Sequence, residues 1–342
     1  MELQITWFVL WGVLWGVYFM LDGFVLGVGI LHNFLGRNEA EKRVLINTVG
    51  PVWDGNEVWL ITAGGATFAA FPGTYALMFS YLYTPLLLLL FALIIRGVSF
   101  EFRGKMPGKW WKKGWDSAIL LGSFLPALLF GVAFGNIFSG LPMDGAGYHG
   151  SFLSLLNPYG LLTGLLFLLL FVEHGALYIS VKTVGDLRSR AHLLADSLWP
   201  FLLLAAAAFL VYTRYATKLY DNFFNLPFLL ALPLAAVVAL ASIRLFSAQG
   251  KLLHAFAASS LTILLVVAIG VTGLFPNLIP STLDPLSSLT IYNTSSSPYT
   301  LKIMTVVALV FVPVVIAYKI WVYRVFRGVV TAEEVLQDEQ AY

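Results

Sequence analysis

Nine apolar stretches, each about as long as a membrane-spanning helix, follow one another along this chain of 342 residues. The hydrocarbon core of a bilayer is about 30 Å thick, and a helix needs roughly 20 apolar residues to cross it. The composition agrees, because only 11% of the residues are charged, whereas a typical soluble domain has about 25%. The sequence therefore predicts an all-α integral membrane protein with nine transmembrane helices. The predicted spans are residues 5–31, 50–72, 75–97, 118–139, 158–181, 198–213, 227–248, 254–275 and 302–322.

Lysine and arginine are unevenly distributed between the two sides that these spans define. Cytoplasmic loops of membrane proteins carry an excess of Lys and Arg. With the N-terminus outside, 17 of the 20 basic residues fall on the inside, Arg96 and Lys319 among them, and three on the outside. This distribution predicts an N-out, C-in topology. No positively charged segment precedes the first stretch, so we expect a permanent span rather than a cleavable signal.

Composition also excludes several kinds of function. The net charge of +2 is too small to indicate nucleic-acid binding, and there are no cysteines for disulfides, thiolate metal sites, iron–sulfur clusters or c-type haem attachment. His174 is the one histidine well inside a predicted span, and no helical His-x-x-x-His pair is present. We expect no metal site in this chain, and a hydrogen-bonded packing histidine at position 174 rather than a haem ligand.

Four acidic residues lie within the apolar stretches, at Asp22, Asp54, Glu57 and Glu173. With a rise of about 1.5 Å per residue, they lie about 6 Å (Asp54), 10 Å (Glu57) and 14 Å (Asp22 and Glu173) from the inner face. A charged group in hydrocarbon costs at least roughly 2.5–3.5 kcal/mol, so such residues usually mark a proton or ion path. The alternative is that each acid is hydrogen-bonded or ion-paired inside a helical bundle.

A run of sixteen residues around two of these acids resembles the signature of a known family. Residues 50–65 read Gly-Pro-Val-Trp-Asp-Gly-Asn-Glu-Val-Trp-Leu-Ile-Thr-Ala-Gly-Gly, which is similar to the motif of subunit II of cytochrome bd quinol oxidases. Asp22-Gly23-Phe24 followed by Gly27, residues 34–38 (Phe-Leu-Gly-Arg-Asn) and residues 100–103 (Phe-Glu-Phe-Arg) resemble further motifs of the same family. The resemblance extends over the whole chain.

The resemblance implies the fold and the partner. It implies two four-helix bundles plus one peripheral helix, with residues 1–139 forming the first bundle, 158–322 the remaining five helices and 323–342 a cytoplasmic tail. It also implies a heterodimer in a bacterial cell membrane that oxidises quinol and reduces O2 to water. The b and d haems would be ligated mainly by subunit I, so this chain is not expected to be catalytic alone. A small accessory subunit and membrane lipid are further expected partners.

The resemblance also assigns roles to residues. The proton-path aspartate of the family falls on Asp54, and Glu57 stands where some relatives have glutamine. The resemblance gives Glu173 no role, but its depth in the membrane makes it a candidate as well, and we expect a cytoplasmic proton path through Asp54, Glu57, Asp22 and Glu173. We expect Trp53, Asn56 and Trp59 of the same motif to contact the partner or complete the haem surroundings.

Two other functions fit the same acids. A proton-coupled secondary transporter would also place carboxylates in the membrane, but it would favour broken helices near the bilayer middle, and the sequence has few such breaks. A purely structural membrane subunit would use the acids only to fix helix packing. Replacing Asp54 by Asn would then lower assembly rather than the turnover of the assembled complex.

Overall fold

The computed structural model describes residues 1–337, and the last five residues of the predicted cytoplasmic tail, 338–342, lie outside the described part. Helices account for most of this part of the chain. They are α1 Glu2–Leu35, α2 Glu39–Val49, α3 Trp53–Ala70, α4 Pro72–Tyr81, α5 Tyr83–Phe102, α6 Lys109–Ser139, α7 Pro158–Lys182, α8 Gly185–Ala216, α9 Tyr220–Asn225, α10 Ala231–Ala248, α11 Leu252–Leu274, α12 Pro298–Val325 and α13 Ala332–Gln337.

Eight of the described helices are long and apolar enough to cross a membrane: α1, α5, α6, α7, α8, α10, α11 and α12. The predicted second span, residues 50–72, corresponds to α3, which is not among the eight. Its first two turns carry Asp54, Asn56 and Glu57, and these polar residues lower its mean hydropathy. The multi-pass, all-helical prediction is therefore confirmed, while the ninth crossing stays a prediction.

Several helix boundaries differ from those predicted. The predicted third span, residues 75–97, is interrupted at Leu82, so that α4 ends at Tyr81 and α5 begins at Tyr83. The sixth span, predicted at 198–213, belongs to a helix that already begins at Gly185. Its first turn contains Asp186, whose charge favours a helix N-terminus, and its charged residues extend the helix beyond the apolar stretch.

The interior is built around α1, which packs against α3, α6, α7 and α11. Aromatic rings fill the space between α1, α6 and α7. The ring of Phe19 lies 5.1 Å from Phe167 and 5.3 Å from Phe130, and that of Trp15 lies 5.2 Å from Phe134, all edge to face. Such pairs stabilise by about 0.5–1.5 kcal/mol each beyond their buried area. This part of the interior is therefore a tightly packed aromatic core.

Helices α1 and α7 cross in direct backbone contact at Gly27 and Gly175. A Cβ atom at Gly175 would lie 2.6 Å from the carbonyl carbon of Gly27, and one at Gly27 would overlap the carbonyl oxygen of Phe171. No side chain larger than hydrogen fits at either position. Small residues at crossings let helices in a membrane pack closely, and this contact joins the N-terminal and C-terminal halves of the chain.

Two short hairpins lie between the helices on one side of the molecule. Strand β1 (Met143–Asp144) pairs with β2 (Gly147–Tyr148), and β3 (Asn277–Ile279) pairs with β4 (Leu289–Thr290), both antiparallel. A bridge between Leu141 and Ser281 connects the two loops. The loops at 140–157 and 276–299 thus form one ordered cap.

The C-terminal segment folds back on the opposite side. The ammonium group of Lys182, at the end of α7, donates hydrogen bonds to the carbonyl oxygens of Phe326 and Gly328. The backbone N–H of Val330 donates to the carbonyl of Lys182 at 2.8 Å, and Val335 of α13 is buried against the rest of the chain. The described part of the predicted tail is therefore held against the ends of the helices.

Candidate functional site

A buried arginine joins two of the four predicted acids. The guanidinium of Arg96, on α5, is completely buried and lies 3.0 Å from the nearer carboxylate oxygen of Asp22, on α1. The same terminal nitrogen also pairs with the carboxylate of Glu57, on α3. The hydroxyl of Tyr18, one turn before Asp22, donates to Asp22 at 3.2 Å. One cation therefore serves two carboxylates that come from different helices.

The positions of these acids follow from the local helix geometry. Glu57 lies on the face of α3 that is turned towards α5, and its side chain is 23% exposed. Asp54, three residues earlier, is exposed, and its Oδ1 accepts a hydrogen bond from the N–H of Gly55 in the first turn. Acids in the first turn of a helix are stabilised by the helix dipole. The structure thus brings Asp22 and Glu57 into contact and leaves Asp54 at the surface beside them.

Asn56 is buried and connects three helices. Its amide nitrogen donates to the carbonyl of Leu21 on α1 at 2.8 Å. Its Oδ1 accepts hydrogen bonds from two groups of α12, the hydroxyl of Tyr323 at 3.0 Å and the ammonium of Lys319 at 3.2 Å. The buried amide is therefore satisfied within this chain, directly beside the cluster.

The two tryptophans of the motif differ in their surroundings. Trp53 is partly buried and packs on Phe100 of α5, with ring centroids 5.5 Å apart, and its ring also lies against Gly97. Trp59 is buried, with 8% of its surface exposed. The exposed positions of α3 are Asp54, Val58, Ile61, Thr62, Gly65 and Phe68. Contact of Trp53, Asn56 and Trp59 with a partner or haem stays a prediction.

Glu173 lies apart from the other three acids. It is buried on α7, and its Oε2 has no hydrogen-bond partner among the described residues. The charged groups that act on it are Asp196 of α8 and Arg244 of α10.

The neighbouring His174 has both ring nitrogens engaged, with the hydroxyl of Ser259 at 2.5 Å and the carbonyl of Met20 at 3.1 Å. His174 is thus a hydrogen-bonded packing residue, as expected.

A second ionic cluster joins α2, α5 and α6 near their ends. Arg103 pairs with Asp116 and, at 2.9 Å, with Glu39. Lys42 contacts Asp116 at 2.6 Å, and Lys112 contacts Glu39 at 2.9 Å. Partial burial by itself would raise the pKa of the Glu39 carboxyl, but the hydrogen bonds from Arg103 and Lys112 outweigh it and hold this pKa below its ordinary value. This cluster fixes the helix ends.

The family is decided by comparison with known sequences. The family model for cytochrome bd terminal oxidase subunit II matches residues 3–326 of this chain. The chain belongs to this family. Subunit 2 of the cytochrome bd ubiquinol oxidase of Bacillus subtilis is 40% identical over 334 residues, which are 97% of this chain and 98% of the relative. Subunit 2 of the cytochrome bd-I ubiquinol oxidase of Escherichia coli is 37% identical over 365 residues, covering 97% and 96%.

The fold of this subunit II has a solved counterpart. A chain of the bd oxidase from Geobacillus thermodenitrificans superposes with a TM-score of 0.78 at 18% identity, covering 95% of this chain and 99% of that one. The resemblance to the family drawn from residues 50–65 is confirmed. The chain is accordingly a subunit of a terminal oxidase, an oxidoreductase, and a multi-pass protein of the bacterial plasma membrane.

The buried histidines of this subunit II do not fit the role of a haem ligand. Both ring nitrogens of His174 are hydrogen-bonded, and its ring stacks on Phe256 with centroids 4.5 Å apart. His32 has no hydrogen-bond partner on either ring nitrogen among the described residues, but it is packed beside Asp116 in the ionic cluster, 3.7 Å from a carboxylate oxygen. A porphyrin needs an apolar slot beside its ligand, and aromatic side chains already fill the core near α1 and α6.

Sequence reasoning missed the cations of the site. The charge count treats Arg96 and Lys319 as cytoplasmic basic residues, but the structure places both within helices, α5 and α12, in contact with groups of α3. A usable signal was present, because buried carboxylates are rarely left without a cationic or hydrogen-bonding partner. An acid such as Asp22, well inside an apolar stretch, therefore predicts a cation on a facing helix.

Proposed function

We propose that this chain pairs with the haem-bearing subunit I of a cytochrome bd quinol oxidase and supplies protons from the cytoplasm to the site of O2 reduction. The two relatives are subunits of ubiquinol oxidases by name. Reduction of O2 to water consumes protons, and a route from the cytoplasm would deliver them. In this proposal the b and d haems belong mainly to subunit I, quinol is the substrate of the complex, and this chain completes the haem surroundings through Trp53, Asn56 and Trp59.

The arrangement in the membrane is part of the proposal. We infer nine crossings with the N-terminus outside, because α3 connects helices that the basic residues assign to opposite sides. The contacts of α1 with α3 and α6, and those of α7 with α8 and α11, are consistent with two bundles, with α12 at the periphery. Membrane lipid would cover the exposed apolar faces of α8, α10 and α12, and a small accessory subunit would be a further partner.

The main support for the proposed proton path is that Arg96 pairs with both Asp22 and Glu57. A single buried cation paired with one carboxylate resists protonation, because neutralising the acid leaves an unpaired buried charge. With two carboxylates, one can gain a proton while the other remains paired with Arg96. The pair is therefore able to accept and release a proton at low cost, which a purely structural ion pair is not.

In this proposal water enters beside the cluster, from the side of the C-terminal segment. A partly open cavity of about 390 Å³ lies beneath residues 325–330, and its walls include Tyr178, Lys182 and Tyr323. The hydroxyl of Tyr323 donates to Asn56, which directly precedes Glu57 in the sequence. A proton would then pass from Asp54, at the surface, to Glu57 and Asp22. Glu173, which lies apart from these three acids, would hold and release a proton independently of them.

The test is to replace Asp54 by Asn in the complete oxidase. We expect O2 consumption with a soluble quinol to fall by about a hundredfold, the lower end of the range for loss of a proton-transferring group, while haem content per complex stays normal. Asp186→Asn is the matched control, because Asp186 is an exposed acid in the first turn of α8. Normal turnover of the Asp54 variant would refute the path, and loss of assembly instead of rate would indicate a structural role.

A further inference from the structure

Three lysines near the start of α6 have no ionic partner within the described part of the chain. Residues 101–115 contain five basic residues and one acid. Two of the basic residues pair with acids of the ionic cluster described above. The others are exposed and form no ion pair with any described residue, and they are Lys105, Lys109 and Lys113. The single acid, Glu101, is also exposed and pairs with none of them.

The spacing of two of these lysines makes the missing partner costly. Lys109 and Lys113 are four residues apart and lie on one face of α6. Like charges at this spacing destabilise a helix, because the two side chains are neighbours on its surface. A negatively charged group bound from outside the chain would remove this repulsion.

Aromatic side chains lie among the lysines. Trp110 is 84% exposed, and Nζ of Lys113 lies over its ring, 5.6 Å from the centroid. Trp111 is fixed differently, because its ring N–H donates to the carbonyl oxygen of Phe102 at 2.9 Å and its ring packs edge to face on Trp115, with centroids 5.5 Å apart. Tryptophan is enriched where the hydrocarbon meets the headgroups of a bilayer. The lysine–tryptophan surface is defined here by Lys105, Lys109, Trp110 and Lys113.

The height of the lysine–tryptophan surface matches the headgroup layer. The apolar stretch of α6 begins near residue 118, so Lys113 lies about 8 Å and Lys109 about 14 Å before it along the helix. The headgroup layer extends about 5–8 Å beyond the hydrocarbon on each side of a bilayer. Long lysine side chains reach towards this layer from slightly beyond it. Phospholipid phosphates would therefore lie within reach of these ammonium groups.

We propose that the lysine–tryptophan surface binds the headgroup of an anionic phospholipid such as phosphatidylglycerol. The phosphodiester would lie between Lys109 and Lys113, and the lipid glycerol region would pack on the ring of Trp110. A zwitterionic lipid fits less well, because its own ammonium group compensates its phosphate. Other basic residues differ from this surface, since Arg190 and Arg244 are already paired with acids of the chain at 2.8 and 2.5 Å.

The experiment uses the complete oxidase in detergent and a phosphatidylglycerol that carries a photoreactive diazirine near its glycerol backbone. On illumination the diazirine loses N2, and the resulting carbene inserts into a neighbouring bond of the protein. Mass spectrometry of the digested chain then locates the adduct, which we expect within residues 102–115. Each lysine near an anionic surface strengthens binding by about fivefold, so unlabelled phosphatidylglycerol should displace the probe at about a hundredfold lower concentration than phosphatidylcholine.

Variants separate this surface from the overall charge. Lys109→Gln combined with Lys113→Gln should lower the preference for phosphatidylglycerol by about 25-fold, whereas Arg at both positions should keep it. Lys251→Gln is the matched control, because Lys251 is an exposed lysine directly before α11. Haem content per complex checks assembly. If the double Gln variant does not accumulate, Lys113→Gln alone is measured, with an expected loss of about fivefold.

Three results would overturn the proposed lipid site. They are equal displacement by the two lipids, an unchanged preference in the double Gln variant, and an equally large loss of preference in Lys251→Gln. Displacement by inorganic phosphate at concentrations as low as those of phosphatidylglycerol would identify a site for free anions and overturn the assignment to a lipid. Turnover is not measured, so failure of the proton path would leave the lipid site unaffected.

Discussion

Removal of the buried guanidinium of Arg96 should destabilise the whole subunit. Replacing Arg96 by Met keeps much of the side-chain length but leaves Asp22 and Glu57 facing each other without a cation. At an effective dielectric constant of about 20, opposite charges about 3 Å apart attract by roughly 5–6 kcal/mol, and Arg96 lies 3.0 Å from Asp22. Loss of one member of a buried pair costs about 3–5 kcal/mol in measured cases. We therefore expect a loss of about 3–5 kcal/mol in the free energy of unfolding.

The assay combines haem absorbance per milligram of membrane protein with thermal unfolding of the purified oxidase in detergent. Arg96→Met should accumulate poorly and unfold at a lower temperature. A triple variant with Arg96→Met, Asp22→Asn and Glu57→Gln contains no charge at this site, and uncharged replacements of buried ion pairs are often neutral or stabilising. We expect it to accumulate again while consuming O2 slowly. Equal unfolding temperatures of Arg96→Met and the unmodified oxidase would refute the argument that the two carboxylates depend on this cation.

Two further predictions concern other parts of the fold. Gly27→Ala places a methyl group against the backbone of α7 and should lower the free energy of unfolding by about 1–3 kcal/mol or more. Gly64→Ala is the control, because its added Cβ meets no atom within 4 Å in this chain and should leave stability unchanged. Equal unfolding temperatures of the two variants would contradict the close crossing of α1 and α7. The depressed pKa of Glu39 contributes stability above its unfolded value of about 4.3, and this contribution should be lost as the pH falls below that value. Unfolding temperatures between about pH 5 and 3 should therefore fall more steeply for the unmodified oxidase than for Glu39→Gln, and parallel curves would argue against the ion pairs with Arg103 and Lys112.

Much of the fold could be predicted from the sequence, because the length of an apolar stretch is set by the bilayer. Eight of the described helices coincide with predicted spans on this ground. The division of residues 72–102 at Leu82 was missed because both sides of the break are apolar, although Pro85 marks it. Proline has no N–H to donate to the carbonyl of Tyr81, and it is tolerated in the first turn of a helix but not in its interior. The start of α8 at Gly185 was missed for a different reason, because its charged first turns continue as a helix outside any apolar stretch.

The site was predicted less completely than the fold. The acids were recognisable because charge stands out in an apolar sequence, but their partners were not. Asp22 and Glu57 belong to different helices and meet only because α5 places Arg96 between them. Asp54 and Glu57 are only three residues apart on α3, yet Asp54 is exposed and Glu57 faces Arg96. Spacing along one helix therefore does not determine which neighbouring helix each side chain meets.

The glycine contact between α1 and α7 has a consequence for the two halves of the subunit. Because backbone touches backbone at Gly27 and Gly175, the contact contains no side-chain rotamers that could rearrange. The heights of α1 and α7 relative to each other are consequently fixed where they cross. Asp22 and Glu173, each within about one and a half turns of that point, keep a constant vertical offset whatever the loops do. Any functional movement in this subunit must then come from helices that have no such backbone contact, and α12 is the most exposed of them.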